Sequence, residues 1–346
     1  MWALGHVVLP ALAAAVAAVL LIRAYWFGVG AYRIRRAGPR RLFSSRHRLW
    51  EEREPIGQLD LRHGPGGPDG VPAPPFAFID EHETGSQPSV SVRDARGRKW
   101  RIKWGQEVRC EAFAVRLVWS CGYFAEVTHL VPSGSILGAA NLSRARQCVD
   151  DAGQFVDARF EREEENVRTL FEEHSWAWND NPFVGTRELD GLKILVMLLS
   201  NWDAKDRRDV ARGSNTAIFE HRVSRWRREA RYLITDWGGS MGRWGSNIVS
   251  RGRWDAEGFE AQTPEFVAGV RNGQVTFGYT GQRTADVAEG IRVEHARWFA
   301  RRAARITDEQ LAEALLASGA TEEEAGRFAR AIRQRIDLLA AAVGHA

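Results

Sequence analysis

Hydrophobic and polar positions alternate with a period of two over Ser89 to Gly105 (SVSVRDARGRKWRIKWG). Val90 and Val92 stand between serines; Trp100, Ile102 and Trp104 stand between basic residues. Successive strand side chains point to opposite faces, so the two runs predict a β-hairpin turning at Asp94 to Gly97. From Glu107 to Phe124 the period becomes helical, with Phe113, Leu117, Val118 and Cys121 on one face. The charged stretch 155–174 reads as a further helix. Leu189 to Leu199 predicts an apolar helix too short to cross a bilayer. Arg231 to Asp236 reads as a buried strand entering a Gly-rich turn, and Val275 to Tyr279 as a short strand after Asn272–Gly273. Thr307 with Gln310, and Thr321 with Glu324, have the spacing of capping boxes that open C-terminal helices. A hairpin and helix followed by a helix-rich region predict an α+β chain, not an alternating one.

The N-terminal pattern is of another kind. Trp2 to Ile22 holds no Lys, Arg, Asp or Glu, and at ~1.5 Å per residue it is long enough to cross a hydrocarbon layer. Tyr25, Trp26 and Phe27 follow as an interfacial belt would. A cleaved signal peptide is the alternative, but it carries its basic residues before the apolar run; here they all come after it. The expectation is a transmembrane anchor over 1–22, a basic segment and Pro/Gly-rich linker over 23–75, and a globular domain over 76–346. Eight Arg and no acid between residues 23 and 48 predict the N-terminus outside and the body in the cytoplasm, as in a single-pass protein of a bacterial inner membrane, with export as the alternative.

That Arg cluster changes the meaning of the net charge. The whole chain is formally +4, so the rest of it is acidic. A mildly acidic body argues against nucleic acid as a partner. Three cysteines without metal-type spacing give neither a disulfide framework nor a zinc site.

Arg so dominates the basic residues that, of the four Lys at 99, 103, 193 and 205, those in the two most motif-like segments, Lys103 and Lys205, stand out as positions that call for a compact ammonium. Lys103 lies late in the hairpin, and Glu111 follows in the first turns of the next helix. The run Asn201-Trp202-Asp203-Ala204-Lys205-Asp206 leaves the apolar helix, with Asp209 just beyond. Clustered carboxylates suit Mg²⁺, a hard cation that prefers oxygen ligands. Asp236-Trp237-Gly238 closes the buried strand and presents another carboxylate. Each segment also has a plain reading: a surface lysine, a solvated loop paired to Arg207 and Arg208, and an Asp opening a turn.

Taken in serial order, these segments resemble the atypical branch of the protein-kinase-like superfamily, near HipA-type and CotH-type kinases. They are also similar to bacterial proteins sharing the Glu111 to Tyr123 pattern (E-A-x-A-x-R-L-x-W-x-x-G-Y). The resemblance covers roughly residues 89 to 280 and implies a two-lobed kinase-like fold behind the N-terminal helix. It implies that Lys103 binds the phosphates of ATP and Glu111 holds that Lys, with Asn201 beside them. It implies Asp203 as the catalytic carboxylate with Lys205 nearby, Asp236 as a Mg²⁺ ligand, and Asp94 to Gly97 as a minimal turn over the phosphates. Arg208 stands where the family places a second metal ligand, which leaves Asp206 or Asp209 as substitutes. The expected activity is phosphoryl transfer from Mg-ATP to a protein, lipid or small-molecule acceptor. A catalytically inactive binding module and a membrane-tethered scaffold are the alternatives.

Overall fold

The alternating hairpin becomes part of a closed barrel. The structure, a computed structural model, describes residues 16–18, 20, 21, 24, 46–85, 87–164, 167–172, 176–206 and 215–344. A short strand β1 (Arg46–Arg48) comes first. It is followed by β2 (Phe76–Glu81), β3 (Ser89–Arg93), β4 (Lys99–Lys103), helix α1 (Val108–Ser120), β5 (Thr128–Leu137) and β6 (Gln154–Glu163). The barrel order is β2-β3-β4-β6-β5, closed by a parallel β2–β5 pairing at Phe76↔Ile136 and Ala77↔Leu137. Val90, Val92, Trp100, Ile102, Phe155 and Phe160 fill its interior. The Trp100 indole donates to Asp94 at 2.9 Å, so the largest core side chain has its one polar atom satisfied.

The other face of these strands is a ladder of charge. Lys99, Arg101 and Lys103 on β4 stand opposite Glu163, Glu161 and Arg159 on β6. This ladder explains why 155–174 is not the helix its composition suggests. Ala158 and Phe160 alternate with Arg159 and Glu161, and the ion pairs across the ladder let the polar residues line a strand. Strand β7 (Val167–Glu172) takes up the rest of that stretch.

A second sheet, in the order β1-β9-β8-β7, is built from β7, β8 (Thr216–Arg222), β9 (Arg228–Ile234) and β1, which runs parallel to β9. Behind it lie α2 (Arg187–Leu198), α3 (Ala256–Ala261), the hairpin β10 (Val267–Arg271) and β11 (Gln274–Phe277), and α4 (Ala285–Ala288). Helices α5 (Val293–Ala303), α6 (Asp308–Leu316) and α7 (Glu322–Gly344) complete the chain. Thr186 caps α2 by accepting from Leu189 N, and Thr307 with Gln310 forms the reciprocal capping box of α6. The 62–75 stretch folds onto α1: the buried Arg116 donates to the carbonyl of Arg62 at 3.2 Å. Cβ on Gly64, whose φ is 70°, would meet Arg116 Cγ at 3.0 Å.

Two expectations are corrected by this architecture. A two-lobed kinase-type domain behind a membrane helix is not what forms: the N-terminal strands close into a barrel instead. Among the described residues no helix is long and apolar enough to cross a membrane, so a single-pass inner-membrane placement loses its support. Most of the 1–22 stretch read as an anchor lies outside the described residues, as does most of the Arg-rich segment after it. The Asp94 turn also differs from the expected phosphate cover. Asp94 accepts from the backbone of Arg96 and Arg98 and pairs with the Arg98 side chain, while Arg96 donates to the carbonyl of Asp69. The turn is occupied in holding the 69–73 arm.

Candidate active site

Three elements deliver carboxylates to one place. The first is the exit of α2. Ser200 N donates to Met197 O and Asn201 N to Val196 O, the double closure of a helix end whose left-handed position is usually Gly. Here Ser200 occupies it at φ 55°. From the far side Arg335 of α7, fully buried, donates to Ser200 Oγ and Leu198 O, both at 2.8 Å, to Phe259 O at 2.8 Å and to Thr263 Oγ1 at 3.1 Å. The strained turn is thereby over-determined by its surroundings, as strained functional positions generally are.

Past that turn, the Asn201 side chain joins two loops. Its Oδ1 accepts from Asp203 N at 3.2 Å and its Nδ2 donates to Asp236 O at 3.2 Å. Asp236 lies just beyond the end of β9, and its Oδ1 accepts from Gly238 N at 2.9 Å. Trp202 N donates to Gly239 O at 3.2 Å. Cβ on Gly239 would lie 3.0 Å from Asp203 Cβ, and Cβ on Gly238 would lie 2.7 Å from Glu107 Cγ. Bare backbone at Gly239 is what lets the loops meet, and at Gly238 it admits Glu107 at the start of α1.

Asp203 is held by Asn215, whose side chain donates to Oδ2 at 3.1 Å, and Lys205 stands 3.8 Å from Oδ1. Burial pushes its carboxyl above the ordinary range, with Lys205 opposing and Asp236 pushing the same way. Asp236 lies close enough for its charge to be felt at Asp203, and two neighbouring carboxylates form a place where a cation is welcome.

The third carboxylate is Glu111, in the first turn of α1. Its Oε1 accepts from Trp237 N at 2.9 Å, next to Asp236, and pairs with Arg159 Nη1 at 2.9 Å. Arg159 reaches Glu161 at 3.1 Å, and Lys103 reaches the same Glu161 at 3.3 Å. The pairing expected between Lys103 and Glu111 is thus divided: Lys103 takes Glu161 and Glu111 takes Arg159. Burial pushes Glu111 up to about 8; Arg159 opposes this and Asp236 adds to it. Glu161 goes the other way. Burial acts to raise it, but Lys103, Arg159 and Arg101 hold it down at about 2.

Lys103, Glu111, Asn201, Asp203, Lys205 and Asp236 therefore belong to one connected network. Asp206 is buried beside them, its backbone N donating to Arg283 O at 2.7 Å. Asp209 lies outside the described residues. Among the described residues no group of three or more His, Cys, Asp or Glu is arranged to hold a metal ion. Sequence reasoning missed Arg159, Glu161 and Asn215. Alternation in Asp157-Ala158-Arg159-Phe160-Glu161 was the available signal for the first two; nothing local marks Asn215.

Glu161 also opens onto a cleft of about 490 Å³ between the barrel and the second sheet, walled by Phe124, Val127, Phe219 and Leu233. Charged side chains, among them Glu51, Arg53, Arg101, Glu163 and Arg231, make up most of the remaining lining, and of the network only Glu161 reaches the cleft. Set against protein-family models, curated proteins and solved structures, the chain matches none of them.

Proposed function

We propose that this site binds Mg-ATP and transfers a phosphoryl group to a hydroxyl-bearing acceptor. The observation that carries the reading is the joining of the Asp203 and Asp236 backbones by the Asn201 side chain, with Lys103 linked to Glu111 by three ion pairs through Glu161 and Arg159. Mg²⁺ is ordinarily held by one or two carboxylates plus phosphate and water oxygens, so an Asp side chain fits it without a full protein cage. Asp236 would hold the cation and Lys103 would meet the phosphates. When bound, Mg-ATP supplies the phosphoryl group and neutralises charge developing on it.

The chain's own residues do the rest. Asp203 accepts the acceptor's hydroxyl proton, and burial beside Asp236 raises its affinity for that proton. Asn215 fixes its orientation, Asn201 holds its backbone, and Gly239 sets the distance between the loops. Incubating the full chain with γ-labelled ATP and Mg²⁺, beside Asp203→Asn and Asp236→Asn, tests this. Labelled phosphate should leave ATP with the wild type, and the rate should fall at least ~100-fold in either variant, as loss of a positioned base or metal ligand does. Equal rates in all three would remove the assignment.

A second reading, binding without turnover, is favoured by one observation. Lys103 is already paired to Glu161, and Glu111 to Arg159. Mg-dependent ATP binding with no ADP formed would select it.

A further inference from the structure

The hairpin joining β8 to β9 ends in a tip that the mechanism above does not use. Every residue from Arg222 to Arg228 is exposed, with Trp226 at 86% and Val223 at 42%. An indole has a large area to gain from burial, so one left in water at a hairpin tip marks a contact surface. The tip is held by its own bonds. Val223 N and Ser224 N donate to Arg227 O at 3.0 and 3.1 Å, and Trp226 N and Arg227 N donate to Ser224 Oγ at 3.3 and 3.1 Å. These four backbone donors are satisfied without water, as a loop entering a less polar phase requires.

The charge at this end of the sheet is one-sided. Residues 220–231 hold five Arg and two Glu. Arg228 pairs with Glu220 at 2.7 Å and Arg227 with Glu229 at 3.5 Å, and Glu229 is shared with Arg48 and Arg231, each at 3.2 Å. Among the described residues no acid pairs with Arg222 or Arg225; the Arg225 guanidinium lies 5.0 Å from the Trp226 ring centre. Strand β1 runs parallel to β9 with Arg46 opposite Glu229, so the last two Arg of the 23–48 cluster are brought to the same end. On the other flank Val167 opens β7 opposite His221, and Glu163 and Glu164 ahead of it bound the basic face; Glu163 is taken by Lys99 at 2.6 Å.

The occupant must be anionic, must receive a convex tip, and must take up an indole and a Val together. Nucleic acid asks for Arg and Lys spread along a face, whereas here they are gathered at one hairpin on a mildly acidic body. A protein partner would have to supply an acidic socket moulded to the tip. An anionic bilayer surface meets all three conditions: Trp settles at headgroup level, and Arg side chains are drawn to the negative surface around it.

We infer that the β8–β9 tip docks on the surface of an anionic lipid bilayer through Trp226, Val223, Arg222 and Arg225. The contact is peripheral and asks for no spanning helix. Strand β9 runs back from the tip for roughly 20 Å at ~3.3 Å per residue, carrying Asp236 away from the headgroups. The docking does not depend on the phosphoryl-transfer reading.

The test mixes the full chain with vesicles of phosphatidylcholine alone or of phosphatidylcholine with phosphatidylglycerol. Wild type is compared with Arg222→Glu/Arg225→Glu, Arg222→Gln/Arg225→Gln and Trp226→Ser. Sedimentation counts every contact of the chain with lipid, while amide hydrogen exchange over residues 222–228 reads the tip itself. Anionic vesicles should slow exchange at the tip and neutral ones should not, and added salt should reverse the effect. The double Glu variant should lose that slowing and bind anionic vesicles ~10-fold or more weakly, with the Gln pair and Trp226→Ser weakened by less, all at unchanged Tm. If the Glu pair lowers Tm, the Gln pair and Trp226→Ser carry the comparison. Exchange at the tip that ignores anionic vesicles, or that slows equally with neutral ones, overturns the inference. So does a single-stranded RNA or a Glu-rich peptide that protects the tip when anionic vesicles do not.

Discussion

At the scale of single residues, the account turns on carboxylates that ordinary spacing rules bring out only in part. Asp203, Asp236 and Glu111 stood out because each sits where a regular element ends or begins, the first two within two residues of Asn or Gly. Their true partners were not, because Arg159 and Glu161 come from a strand almost fifty residues from α1, and charge disguised that strand. Glu111 offers a direct test of its environment. Its folded pKa of about 8 lies above the ordinary carboxylate value of 4.5. The proton is therefore held more tightly in the folded chain, so the stabilisation is complete below pH 4.5 and is lost as the pH rises through 8. Over that window stability falls by up to about 1.4 kcal/mol per pH unit. Glu111→Gln should remove this component, so the variant should gain on wild type between pH 6 and 9 in urea unfolding. A pH-independent difference would mean that the Arg159 pair, not burial, governs the group.

The elements explain how that chemistry is held in place. Capping residues and hairpin alternation announced α6, β3 and β4, because those signals are local. The Ser200 turn was not legible: a helix closed by Ser in place of Gly makes sense only with Arg335 reaching it from a helix more than a hundred residues away. Arg335→Ala would leave Leu198 O, Phe259 O, Ser200 Oγ and Thr263 Oγ1 without their donor in a dry interior. A cost of about 3–5 kcal/mol is expected from several buried groups left unsatisfied. The change should appear as a lower urea midpoint, with weakened Mg-ATP binding in the fraction still folded. The loop contact at Gly239 gives a smaller, more selective test. Gly239→Ala places Cβ 3.0 Å from Asp203 Cβ and 3.1 Å from Asn201 Oδ1. It should cost about 1–3 kcal/mol and separate the two Asp-bearing loops. Full stability and full Mg-ATP affinity in this variant would show that the loops do not need so close an approach.

For the whole molecule, the α+β composition was legible, whereas the closure of the barrel was not. Closure depends on two residue pairs, Phe76↔Ile136 and Ala77↔Leu137, between strands that no local pattern links. The Trp100 ring fills the space that closure creates, against Phe160 at 6.2 Å and His129 at 6.1 Å. Trp100→Ala should therefore cost about 3–5 kcal/mol. The barrel carries Lys103, Arg159 and Glu161 on its polar face, so the same variant should lose Mg-ATP binding along with its fold. The second sheet ends at Asp236 and the helical layer at the Ser200 turn, and the candidate site exists only where all three bodies meet. The central claim is that this junction is a Mg-nucleotide site. It is tested most directly by thermal unfolding of the full chain with ATP alone, Mg²⁺ alone and both together, beside Asp236→Asn. The account predicts a rise in Tm only with both present, equivalent to about 2.7 kcal/mol at a ligand concentration 100 times Kd, and no rise in the variant. A rise that ignores Mg²⁺, or one that survives in Asp236→Asn, would contradict it.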